Sequence, residues 1–191
     1  MTFTKSELKQ TGLFAGLYFL CMGLGVFVNF FIDKSGAMFY APALTAVFGA
    51  VIYLHFAGKL QRFGAISLVG TLMGSFFLFT GHMALAFLPG LVCGLMADLV
   101  ARQGQYIQAG LNKLSFLLFA FVPTGPIFFM WIDRAGYAAA LAARGKSSEY
   151  INRVLLPADL GTMSWFVFTL LLGSILGLAV ASLLEKGRAQ A

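Results

Sequence analysis

Six runs of apolar residues divide the chain, and each is long enough to cross a bilayer as a helix of about 20 residues. None of the runs alternates apolar with polar residues, as a strand with one buried face would. The chain is also not built of the ten-residue segments of a transmembrane barrel. The pattern therefore predicts an all-α membrane bundle forming one domain over residues 1–191, with spans at residues 11–32, 39–58, 63–80, 81–101, 111–132 and 162–184.

The composition agrees with a helical membrane protein. Of the 191 residues, 60% are hydrophobic and 10% are charged, with a mean hydropathy of +0.87, whereas soluble domains hold about 25% charged residues. The net charge of +6 would suit nucleic acid, but the charges cluster at the ends of the apolar runs, as membrane orientation requires. Cys21 and Cys93 lie inside apolar runs and are interpreted as small core residues.

The distribution of basic residues predicts the orientation of the bundle. Six spans place both termini on one side of the membrane, and the short connections on that side are the richer in Lys and Arg, so we expect both termini in the cytoplasm. The basic residues on this side are Lys5, Lys9, Lys59, Arg62, Arg102, Lys113, Lys186 and Arg188. Those predicted outside are Lys34, Arg134, Arg144, Lys146 and Arg153.

Glycines recur four residues apart on four of the predicted helices. This spacing lets another backbone approach closely, which is the usual basis of helix association in membranes. Gly12 and Gly16 on the first helix are the pair for which a role beyond packing deserves a test. Packing within the bundle is the expected role of the other pairs, Gly70 with Gly74, Gly90 with Gly94, and Gly173 with Gly177.

The fifth span is interrupted by Val122-Pro123-Thr124-Gly125-Pro126, where two prolines remove backbone donors. Broken backbone at membrane depth persists only where it is buried in protein or lines a cavity. The residues that follow form an aromatic and charged rim, typical either of a site or of a plain interfacial belt. These rim residues are Trp131, Asp133, Arg134 and Tyr137.

Residues 133–161 form the one long connection and are predicted to lie outside the membrane. The segment DRAGYAAALAARG within it predicts a short amphipathic helix, with Gly145 as its stop. This helix either covers the outer mouth of the bundle or rests in the membrane interface.

Two ionisable residues mark the ends of the fourth span, His82 and Asp98. On a helix their separation is roughly 24 Å, so each is expected near one membrane surface. Beside a positive helix N-terminus, His82 should be neutral, and it either contacts a ligand in an outer cavity or satisfies carbonyls of the turn. Asp98 is interpreted as the ion-pair partner of Arg102, with a contact to a cytoplasmic protein as the alternative.

Two patterns of chemistry fail on inspection of the residues. The segment ALAARGKS, residues 140–147, ends like a phosphate-binding loop, but Ala140 replaces its first glycine and no strand precedes it. Ser75 and His82 would lie on either side of a tight turn, and no later span offers a histidine base. We therefore expect no enzyme, no cofactor and no dedicated metal site.

The order and spacing of several segments resemble a known family of transport subunits. These segments are TGHMALAFLPGLVCGLMADLV, PTGPIFFMWIDRAGYAAAL and SSEYINRVL, with GLFAGLYFL near the start and the connection KLQRFGAISLVG. Together they resemble the substrate-binding S components of energy-coupling-factor (ECF) transporters, in the branch called Trep_Strep or MptD-like.

The resemblance implies a six-helix subunit of a prokaryotic plasma (inner) membrane that captures a micronutrient outside. A coupling protein and two ABC ATPases would be its partners, and Gly12 and Gly16 would dock on the coupling protein where alanines are the commoner pair. The resemblance implies one of three kinds of ligand: a heterocyclic vitamin, a metal chelate, or haem with His82 as the iron ligand. The implied binding residues are His82, Trp131, Asp133, Arg134 and Tyr137, with Asn29 and Tyr40 beside the first outer loop.

Two other functions stay open. A stand-alone small transporter or channel would need ionisable residues near the midplane or an inverted repeat of broken helices, and neither is visible in the sequence. A structural membrane subunit that binds no small molecule is the other.

Overall fold

A computed structural model of the chain describes residues 2–80 and 84–190, which form helices and turns and no strand. The all-α prediction is confirmed for these residues. The α-helices are α1 Lys5–Ile32, α2 Ala41–Leu60, α3 Ala65–Phe79, α4 Leu88–Gln103, α5 Ala109–Phe119, α6 Gly125–Ile132, α7 Arg134–Ala143, α8 Ser148–Val154 and α9 Leu160–Gln190. Short 3-10 turns cover Ala84–Phe87 and Val122–Thr124.

The helices run between two ends of the bundle. At one end, which we call the Asp98 end, lie residues 61–64 and 104–108; at the other, the cavity end, lie residues 33–40 with α7 and α8. The Thr2 carbonyl accepts a hydrogen bond from Arg62, and Glu185 borders a recess with Gly58 and Lys113. Both ends of the chain therefore approach the Asp98 end.

Five segments are long and apolar enough to cross a membrane among the residues that the structure describes. The third predicted span differs, because α3 has 15 residues and rises about 22 Å, less than the roughly 30 Å of a hydrocarbon core. The prediction of six spans is thus supported for five of them. The five are Lys5–Ile32, Ala41–Leu60, Leu85–Gln103, Ala109–Ile132 and Leu160–Gly187.

Aromatic side chains from α1, α2 and α5 form the centre of the core. Phe14, Tyr18, Tyr53 and Phe119 are fully buried, and the ring centroids of Tyr53 and Phe119 lie 4.8 Å apart. In contrast, large apolar side chains of α1 and α9 face outward, as on helices that contact lipid. Leu20 and Leu183 are each 68% exposed.

The internal glycine pairs pack as predicted. A Cβ added at Gly90 would lie 2.6 Å from the Gly70 carbonyl oxygen, and α3 and α4 therefore meet backbone to backbone. Gly177 makes an equally close approach to Ala46 of α2. Gly12 and Gly16 differ, since nothing lies within 4 Å of a Cβ at either position.

Replacing Gly90 with leucine should separate α3 from α4. Forcing a side chain into a packed contact typically costs about 1–3 kcal/mol, and here the neighbouring atoms are backbone and cannot rotate away. Thermal unfolding in detergent micelles would measure the loss. Gly23→Leu is the matched control, because Gly23 faces open space and should tolerate the side chain; equal stability of both variants would contradict the packing.

Candidate functional site

A cavity of about 380 Å³ lies at the cavity end of the bundle. This volume is near the lower end of the roughly 300–1,000 Å³ typical of small-molecule sites. Its wall is formed by α1, α2, the end of α3, the broken span between α5 and α6, and the helices α7 and α8. Most of the lining side chains are apolar, among them Met22, Val26, Phe76 and Ile127.

The predicted break in the fifth span is present and forms part of this wall. Helix α5 ends at Phe119, a 3-10 turn covers Val122–Thr124, and α6 begins at Gly125. Pro123 and Pro126 line the cavity. The irregular backbone is therefore buried in protein and borders a cavity, as expected for a broken helix at this depth.

Asn29 determines the path of residues 33–40 over the cavity. Its Oδ1 accepts a hydrogen bond from the Tyr40 backbone N–H at 3.0 Å, and its Nδ2 lies 3.4 Å from the Met38 sulfur. Met38 itself adopts a left-handed φ of 59°. Asn29 is fully buried and contacts the loop, whereas Met38 lines the cavity.

Helices α7 and α8 close the cavity from the side. Asp133 caps α7 by accepting the Gly136 N–H at 2.8 Å, and Arg134 donates hydrogen bonds to the carbonyls of Leu155 and Leu156. This anchoring directs one face of α7 inward, with Tyr137 and Leu141 in the cavity wall. Helix α7 therefore packs over the cavity at this end of the bundle.

Four charged or phenolic side chains meet on this side of the cavity: Tyr137, Arg144, Lys146 and Tyr150. The ammonium of Lys146 lies 5.1 Å from the centroid of the Tyr150 ring. Burial raises the pKa of the Tyr137 phenol, while the nearby Arg144 guanidinium opposes part of that rise. Tyr137 therefore remains a neutral hydrogen-bond donor at physiological pH.

The structure separates the residues that the sequence grouped as a binding site. Tyr137 lines the cavity, whereas Trp131 lies in an apolar cluster beside Phe166, at a centroid distance of 5.4 Å. Tyr40 is at the edge of the same cluster, where its hydroxyl is 3.4 Å from the Trp165 indole nitrogen. Asn29, Asp133 and Arg134 position backbone around the cavity, and His82 lies outside the described residues.

Sequence reasoning missed Arg144, Lys146 and Tyr150 as cavity residues. In the sequence, the two cations contribute to the predicted orientation and to the ALAARGKS segment, which fails as a phosphate-binding loop. A signal was present, since cations are sparse in this chain and these two follow an amphipathic helix within three residues of its end.

At the opposite end, Asp98 has a different role from the one predicted. It is fully buried, and its Oδ2 accepts hydrogen bonds from the Gly64 N–H, the Ser67 N–H and the Ser67 hydroxyl at 2.8–2.9 Å. Its Oδ1 accepts from the Tyr106 hydroxyl at 2.7 Å. Asp98 thus caps the start of α3 from the neighbouring helix, because Gly64 has no side chain with which to do so.

The predicted ion pair between Asp98 and Arg102 is wrong. The guanidinium of Arg102 lies 4.8 Å from the Phe63 ring centroid, and the ion pair found among the described residues joins Arg62 to Glu7 at 3.6 Å. The physical reason is that two backbone N–H groups at the start of α3, with the hydroxyls of Ser67 and Tyr106, satisfy both carboxylate oxygens inside the bundle.

A bundle of long apolar helices with outward-facing apolar side chains defines an integral membrane protein, and a cavity lies at one end of it. The chain belongs to the Trep_Strep family, described as hypothetical bacterial integral membrane proteins, which it matches over residues 6–186. No curated protein and no solved structure matches the chain.

Proposed function

We propose that the protein is the substrate-binding S component of an ECF-type ABC importer in the bacterial plasma membrane. In this role it captures a micronutrient in the cavity and hands it to a coupling protein driven by two ABC ATPases. The chain itself binds and releases its ligand and catalyses no reaction.

The observation that carries the proposal is the cavity. It is preformed, largely apolar and covered by α7 and by residues 33–40, as expected for a site that removes a small molecule from water. With both termini in the cytoplasm, as the basic residues predict, the cavity end would face the exterior. Capture would then occur on the side from which a nutrient arrives.

A second feature supports delivery through a partner. Gly12 and Gly16 are exposed on α1, and nothing lies within 4 Å of a Cβ at either. A strip of small residues lets a helix of another protein approach closely. Because α1 also contributes Met22 to the cavity wall, one rigid helix would connect the coupling surface with the ligand.

Purification of the tagged chain from its native membrane tests the proposal. We expect a coupling protein and two ATPases to co-purify, and mass spectrometry of the extract to find a small molecule at about one equivalent. Proteoliposomes holding the complex should take up that molecule with ATP, and those holding the chain alone should not. Uptake by the chain alone would favour the stand-alone transporter, and the absence of both partner and ligand would favour a structural subunit.

A further inference from the structure

We propose that the cavity binds a small amphipathic anion, with its apolar body among the helices and its anionic group between Arg144 and Lys146. This inference rests on the proposed function only in taking the cavity to be the ligand site. It narrows the ligand from micronutrients in general to those with a carboxylate, phosphate or similar group at one end.

The inner part of the cavity fits an apolar body. Side chains from α1, α3 and the broken span line it, and Met22, Phe76 and Ile127 are typical of them. Proline and methionine supply no hydrogen-bond donors here, since Pro123 and Pro126 have no N–H and thioethers are weak acceptors. Polar groups of a ligand would be desolvated in this region without compensation.

Arg144 and Lys146, on the other side of the cavity, are not neutralised by a carboxylate of the described residues. Within residues 2–80 and 84–190, no Asp or Glu lines the cavity and no carboxylate lies within 4.0 Å of either cation. Three of the four acidic side chains at this end accept backbone N–H groups: Asp33 from Ser35, Asp133 from Gly136 and Asp159 from Thr162, each at 2.8–2.9 Å. The fourth, Glu149, lies in the first turn of α8 and forms no ion pair with either cation. Arg144 and Lys146 therefore form no ion pair among the described residues and are available to an anion.

The neighbouring phenols extend the same site. Tyr137 and Tyr150 line the cavity beside the cations, and the Lys146 ammonium lies over the Tyr150 ring. Arg153 approaches the same ring at 5.5 Å and donates to the Ser35 carbonyl, which holds α8 against residues 33–40. An anion here would receive charge-assisted hydrogen bonds from Arg144 and Lys146 and neutral ones from the phenols.

Exposed Arg and Lys at a membrane surface can also hold an anionic lipid headgroup. A lipid headgroup and a small anionic ligand would bind the two cations through the same chemistry, but a headgroup at the surface would leave the apolar cavity empty. A site for a small anion should still bind its ligand in a bilayer without anionic lipid, and binding should require an apolar body that enters the cavity. A site for a lipid headgroup should be filled when anionic lipid is present.

The test uses the full chain in phosphatidylcholine nanodiscs and two fluorescent probes, dansylglycine and its neutral amide, which share one apolar body. Empty discs give the background. We expect dansylglycine to bind about tenfold more tightly than the amide, as charge-assisted hydrogen bonds allow. The double variant R144Q/K146Q should lower dansylglycine affinity to that of the amide and leave the amide's affinity unchanged.

Arg102→Ala, which removes a cation at the Asp98 end, is the control and should retain the preference. Equal affinity of the two probes, no binding of either, or a preference that survives R144Q/K146Q would each overturn the inference. Loss of the preference when phosphatidylglycerol is added would assign the cations to lipid and overturn it as well. If the anionic probe is preferred but no coupling protein co-purifies, this inference stands and the S-component assignment falls. If a coupling protein co-purifies but the two probes bind equally, the S-component assignment stands and this inference falls.

Discussion

Replacing Asp98 with alanine is expected to cost about 3–5 kcal/mol of stability, the largest effect of any single substitution considered. The change leaves the N–H groups of Gly64 and Ser67 and the hydroxyl of Tyr106 without their buried acceptor. Each unsatisfied buried donor typically costs about 1–3 kcal/mol. Thermal or denaturant unfolding in detergent micelles would measure the loss.

The damage should extend beyond α3, because the carboxylate connects three segments. Tyr106 lies in the turn between α4 and α5, and its carbonyl accepts a hydrogen bond from the Asn112 side chain at 2.7 Å. Burial and the bond to Asp98 raise the pKa of the Tyr106 phenol, which therefore stays protonated and able to donate. Hydrogen exchange should consequently increase at the start of α3 and in this turn together.

Asp159→Ala provides a matched control, since Asp159 also accepts a helix-start N–H but is exposed to solvent. Its pKa is lowered by the hydrogen bonds from Thr162, so its contribution is present at neutral pH and is lost as pH falls through the folded-state pKa. We expect a clearly smaller loss than for Asp98→Ala. Comparable losses would show that burial of Asp98 adds nothing to its cap.

The second large effect is expected from the double variant Gly12→Leu and Gly16→Leu, which should abolish assembly with the proposed coupling protein. Two leucines would fill the open strip on α1 and prevent close approach of another helix. Ligand binding should persist, because neither position lines the cavity and an added Cβ at either would face open space. Recovery of coupling protein and ATPases with the tagged chain, and ATP-dependent uptake, are the measurements.

Ala179→Leu is the matched control on another helix, where an exposed alanine on α9 also gains a leucine. Assembly should survive that change. If the glycine variants lost ligand binding together with assembly, the pair would serve packing. If assembly were unaffected, the docking surface would lie elsewhere on the chain.

Most of the secondary structure followed from local pattern. The predicted span at 39–58 is found as Ala41–Leu60, and the break at Pro123 and Pro126 occurs where proline chemistry requires it. The third span was the exception. The apolar run at residues 63–80 is long enough to cross a membrane, but the helix within it, α3, covers only Ala65–Phe79.

The candidate site was predicted less well, because its residues meet through tertiary contacts. Aromatic and charged residues near a membrane interface carry the same sequence signal whether they line a cavity, as Tyr137 does, or pack on a neighbouring helix, as Trp131 does. Arg144 and Lys146 reach the cavity because Asp133 and Arg134 anchor α7 across its mouth.

Hydropathy and residue spacing were enough to predict the helices, their membrane character and the break at Pro123 and Pro126, because each depends on residues within a few turns. All four glycine pairs share one spacing, and only the folded chain shows that Gly12 and Gly16 lie open while the others pack. The partners of Asp98, the cavity and its cation pair depended on the folded chain. Ser67 lies 31 residues from Asp98, and Arg153 lies 118 residues from Ser35. Such contacts depend on how helices are rotated and shifted against one another, which the period of a single helix does not encode.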